Sequence, residues 1–112
     1  MIEVRLKIKD KTIKGFEVSG HAFHGEPGHD IVCSAVSMLT INTINSHECI
    51  LELEKEISIK EFEDTLFFEI DINKLENDKL HDTQILMKSF ELGIKSIVKE
   101  YQDYITLYYK EV

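Results

Sequence analysis

Ile2-Glu3-Val4-Arg5-Leu6-Lys7-Ile8-Lys9 places apolar and polar side chains by turns. Period two sends alternate residues to opposite faces of an extended chain, so this run predicts a strand with one face buried. Lys9-Asp10-Lys11-Thr12 then supplies turn chemistry, and residues 13–20 alternate again, which predicts a hairpin. Gly15 interrupts the second run and marks a place for a bulge. From residue 31 the spacing changes. Ile31, Val32, Ala35, Val36, Met38, Leu39, Ile41, Ile44 and Ile50 recur at helical intervals over a wide arc. That arc predicts a largely buried central helix with Asp30 as its N-cap. Residues 56–62 and 66–72 return to strand character, and only Glu63-Asp64-Thr65 parts them, a second hairpin.

Residues 73–81 are polar and rich in turn-formers, after which Asp82 or Thr83 is placed to cap a second helix. Ile85, Leu86, Phe90, Gly93, Ile94, Ile97, Val98 and Tyr101 follow at three- and four-residue spacing, and residues 104–109 read as a last strand. The order is ββαββαβ. Elements this short and close predict a two-layer α+β domain spanning residues 1–112, with two helices packed on a mainly antiparallel sheet.

Composition narrows the classes. No apolar run approaches the ~20 residues that span a bilayer, and the charged, alternating N-terminus has no apolar signal core. The expectation is a cytoplasmic protein with no membrane partner. A formal charge of −8 opposes direct nucleic-acid binding, which wants a basic surface. It suits either plain solubility or a basic partner. Cys33 and Cys49 stand on one predicted helix, and sixteen residues of helix span about 24 Å, too far for a disulfide.

The chemistry crowds into Gly20-His21-Ala22-Phe23-His24-Gly25-Glu26-Pro27-Gly28-His29-Asp30-Ile31-Val32-Cys33. With Asp30 as cap, Cys33 falls in the first helical turn. There the roughly half positive charge of the helix end and its unpaired N–H groups favour a thiolate. His21, at the end of the preceding strand, is a base for that thiol, and the same N–H groups could hold an oxyanion. Asp30 has a second possible role in orienting His21, and Ser37 lies one turn below Cys33 on the same face. Gly20, Gly25 and Gly28 give the connecting loop backbone freedom. A zinc site from His21, His24, His29 and Cys33 is a rival reading, but the spacings match neither a CxxC knuckle nor an HExxH helix. His24 and His29 otherwise read as solvated loop residues. His47 and His81 read as residues near element ends without a partner, and Cys49 reads as structural.

Gly20-His21-Ala22, then Gly28, then Asp30-Ile31-Val32-Cys33, then Ala35-Val36-Ser37 closely resembles the signature of the Prp family of bacterial ribosomal-processing cysteine proteases. Length and element order are similar too, although the specific motifs lie within residues 20–37. Ser34 departs from the pattern, standing where alanine is frequent. The resemblance implies a homodimeric cysteine protease that removes a short N-terminal extension from a basic large-subunit ribosomal protein, number twenty-seven in the L series. It implies His21 and Cys33 as the catalytic pair, Asp30 and Ser37 as supporting residues, a mobile connecting loop, and no cofactor or metal. A non-catalytic ribosome-associated binding module of the same fold is the alternative.

Overall fold

The structure, a computed structural model, describes residues 1–20 and 29–112, and of His29 and Asp30 the backbone only. β1 (Ile2–Lys9) and β2 (Thr12–Ser19) lead to α1 (His29–Asn45), which runs on into a π-helical turn (Ser46–Ile50). β3 (Ile57–Phe62), β4 (Thr65–Ile70), a short 3₁₀ turn (Ile72–Lys74), α2 (Asn77–Glu100) and β5 (Ile105–Glu111) follow. The predicted α+β order is the one observed.

The five strands form a single sheet in the order β3-β4-β2-β1-β5. All neighbours are antiparallel except β1 and β5, which run parallel. The first hairpin turns on Asp10 and Lys11, both at positive φ. Two left-handed residues in a two-residue loop are what the twist of the flanking strands demands. Between Lys7 and Ile8 the register shifts, so that Lys14 is the extra residue of a bulge. Beside it, Gly15 has to be glycine because a Cβ there would collide with the Phe68 carbonyl on β4. The Gln84 amide of α2 seals the bulge. It accepts from the Ile13 N–H at 2.8 Å and donates to the Ile13 carbonyl at 2.9 Å.

Alternation decides the two faces of the sheet. Ile2, Val4 and Leu6 of β1, Phe16 of β2, Phe68 and Ile70 of β4 and Ile105 of β5 are buried beneath the helices. They meet Val32, Cys33, Val36 and Ile44 of α1 and Met87, Phe90 and Ile94 of α2 in one core. The Phe16 ring stacks on Phe90 with centroids 4.2 Å apart and tilts against Phe68 at 4.9 Å. The opposite face carries no helix and is covered by charge. Lys7 pairs with Glu17 at 3.3 Å and Lys14 with Glu69 at 2.9 Å, and Lys14 holds the Glu69 carboxyl below its usual range. The Arg5 guanidinium sits 5.2 Å from the centre of the Tyr108 ring.

Two helix boundaries differ from expectation. α2 begins at Asn77, so Asp82 and Thr83 lie inside it rather than capping it. No proline or glycine separates residues 77 and 83, and Thr83 is buried with its hydroxyl donating to the Leu80 carbonyl, a bond that a helix interior permits. α1 begins at His29, directly after Gly28, so Asp30 is its second residue and not a cap before the first turn. The wide apolar arc of α1 is also only half used. Ile31, Met38, Ile41 and Ile50 are exposed, because a single sheet covers one side of the helix and α2 another. On α2, Ile85 faces outward for the same reason, and Met87 takes the core position.

Candidate active site

Cys33 is the fifth residue of α1 and is 2% exposed, in contact with the core. The first four N–H groups of a helix lack intrahelical acceptors. Those groups belong to residues 29–32, one turn ahead of the thiol. The expected position of Cys33 within the capped first turn is therefore corrected by two residues. The helix dipole, which fades within that turn, acts on the thiol more weakly than the sequence suggested. Val36 and Ser37 follow at three and four residues, the spacing that stacks side chains along one helix face.

Those two side chains open onto a cleft of about 290 Å³. Its floor comes from the helix-side face of the sheet, with Ile2 of β1, Val18 of β2 and Leu66 of β4. α1 forms one wall through Val36, Ser37, Thr40 and Ile41. The β3–β4 hairpin forms a lip of carboxylates, Glu61 from β3 and Glu63 and Asp64 from its turn. Gly20, the residue before His21, closes the end. It adopts φ +91°, and a Cβ there would collide with the Met1 carbonyl, so its glycine identity comes from close packing against the start of β1.

His21, Gly25 and Gly28 lie outside the described residues, as does His24, and so does the side chain of Asp30. Cys33, Ser37 and Gly20 are thus the expected site residues that the structure describes. Cys33 and Ser37 share one stretch of α1, and Ser37 and Gly20 line the same cleft.

A model of the cysteine protease Prp family matches residues 1–106. The chain belongs to the Prp family of cysteine proteases. The ribosomal processing cysteine protease Prp of Staphylococcus aureus is 30% identical over 112 residues, covering 98% of this chain and 100% of that one. Among solved structures, SMU.848 from Streptococcus mutans matches with a TM-score of 0.81 at 28% identity, over 100% of this chain and 96% of that one. Staphylococcus aureus Prp with a covalently linked product peptide matches with a TM-score of 0.76 at 27% identity, over 98% of this chain and 100% of the other.

Membership in the Prp family settles the enzyme class as a ribosomal-processing cysteine protease and accounts for the α+β fold. Cys33 itself is buried, and a thiol buried to this degree ordinarily serves packing. Cys49, expected to be structural, is exposed on the π-helical turn instead and forms no disulfide with Cys33.

Sequence reasoning missed His47. It is fully buried, with its ring 5.0 Å from that of Phe68. Nδ1 lies 2.8 Å from the Thr43 carbonyl, and a carbonyl only accepts, so the neutral ring carries its proton on Nδ1. Nε2 is then a bare lone pair in the core, with no hydrogen-bond partner among the described residues. Burial pushes the imidazole below its ordinary value of 6.5, partly offset by the Thr43 bond. The π-helical turn beginning at Ser46 puts residue 47 on the core side, a departure that a 3.6-residue period does not reveal.

Proposed function

We propose that the chain is an endopeptidase that trims the N-terminal extension from the large-subunit ribosomal protein numbered twenty-seven in the L series, with Cys33 as nucleophile and His21 as base. The location of Cys33 beside the cleft-lining face of α1, at the position the family signature gives its nucleophile, carries this reading. In the proposed reaction His21 takes the thiol proton and Cys33 Sγ attacks the scissile carbonyl. The amine leaves with the proton from His21, and water then releases the acid from the thioester. N–H groups at the start of α1 are the candidate oxyanion donors. Asp30 and Ser37 support the pair, and Gly20, Gly25 and Gly28 belong to the connection between its two members.

A basic ribosomal substrate suits the −8 charge of this chain. The proposed setting is the cytoplasm, without a direct nucleic-acid contact. The proposed assembly is a homodimer. The exposed apolar residues Ile31, Met38 and Ile41 on α1 support it better than the tyrosines of β5, since Tyr108 already stacks under Arg5 and the Tyr109 hydroxyl bonds to Glu91.

The test is incubation of the purified protein with the extended ribosomal protein, followed by mass analysis of the products. A single cut that frees the extension, absent from Cys33→Ala and from His21→Ala, is expected. Undiminished cutting by Cys33→Ala would overturn the assignment of the nucleophile.

A further inference from the structure

Two features of the cleft are not used by acyl transfer. The first is its lip. Along β3, Ile57, Ile59 and Glu61 project to the helix side of the sheet, and beyond Ile57 no described helix covers them. Glu61 therefore reaches the cleft from the edge strand, and Glu63 joins it from the turn, at φ 55°. Both are exposed, and neither makes an ion pair within the described residues. Lys60, the residue before Glu61, points to the other face.

The second feature is Thr40, which is 4% exposed and lines the same cleft. A helical threonine usually spends its hydroxyl on the carbonyl four residues back. Thr43 does so, donating to the Leu39 carbonyl at 2.8 Å. The Thr40 hydroxyl has no hydrogen-bond partner among the described residues. A buried hydroxyl without a partner is costly, and it points to a group that arrives from outside.

We propose that Glu61 and Glu63 select substrates carrying a lysine or arginine close to an apolar side chain, and that the Thr40 hydroxyl bonds to the backbone of the same peptide. The apolar side chain rests on Ile2, Val18 and Leu66, and the cation meets the two carboxylates at the lip. This rests on the protease reading above and adds to it a pair of specificity-determining residues.

The experiment uses the intact ribosomal protein and two peptides spanning its cleavage junction, one with its lysines and arginines kept and one with each replaced by glutamine. The wild type should cleave the basic peptide with a kcat/KM about threefold to tenfold higher, the ratio that one or two exposed ion pairs give. That preference should shrink as salt is raised. Glu61→Gln/Glu63→Gln should bring the two rates together. Thr40→Val should lower kcat/KM for both peptides while its thermal midpoint stays at or above that of the wild type. A preference that survives in the double variant, or equal wild-type rates on the two peptides, would overturn the inference and leave the protease reading standing. Failure of the wild type to cut the intact protein removes both.

Discussion

Leucine at position 47 should abolish a specific acid sensitivity of the fold. In the wild type the imidazole is neutral, with Nδ1–H bonded to the Thr43 carbonyl and Nε2 buried without a partner. Protonation would place an N–H donor where no acceptor waits. Burial accordingly holds the folded value below 6.5. The unfolded chain takes up this proton at about pH 6.5 and the folded chain only at lower pH. As pH falls through 6.5, the unfolded state binds more protons and stability is lost at up to about 1.4 kcal/mol per unit. The loss levels off below the folded value. Between pH 7.5 and 5.5 the loss through His47 is thus at most about 1.4 kcal/mol, against a total of about 5–15 kcal/mol for a typical domain. Urea unfolding of the wild type and His47→Leu, followed by circular dichroism at several pH values in this range, reads it directly. The other titrating groups act equally on both proteins, so the difference in slope isolates this residue. Parallel pH dependences, within about 0.3 kcal/mol, would refute the reasoning, since additivity errors are of that order.

Four further outcomes follow from the geometry. Lys11→Gly should raise stability by about 0.5–1 kcal/mol in urea unfolding, because relief of the left-handed backbone outweighs the entropy that glycine loses on folding. Gln84→Met should lower stability by about 1–3 kcal/mol, since the backbone groups of Ile13 lose their partner at the bulge. Gly20→Ala should reduce both thermal stability and peptidase activity, because the added methyl displaces the chain against Met1 at the end of the cleft. Cys49→Ser, by contrast, should cleave substrate at the wild-type rate, since the thiol is exposed on the π-helical turn.

The strands were legible because one sheet face is dry and the other wet. Ile2, Val4 and Leu6 against Glu3, Arg5 and Lys7 state that directly, and the bulge near Gly15 follows from a single glycine. The helices were less so. Hydrophobic residues predict a face but not what covers it, so Ile31, Met38 and Ile41 read as core although no described element lies over them. His47 failed in the opposite direction, since nothing in its neighbours marks the widened turn that tucks it beneath Phe68. Of the expected site, Cys33 and Ser37 were placed together by their spacing, and they do lie one turn apart on α1, while His21 is outside the described residues. The lip was not anticipated, because Glu61 and Glu63 reach the cleft from a hairpin some thirty positions away from the thiol.

The parallel pairing of β1 with β5 bears on the order in which the enzyme comes into being. Ile2, part of the cleft floor, donates its N–H to the Tyr104 carbonyl at 2.9 Å and stands opposite Ile105. The floor therefore waits on a strand about a hundred residues downstream, a contact of high sequence separation that forms late in folding. Until β5 docks, β1 has an open edge and Ile2, in the cleft floor, lacks its backbone partner. A nascent chain that has emerged only as far as α2 would thus carry the signature cysteine without a finished cleft beside it.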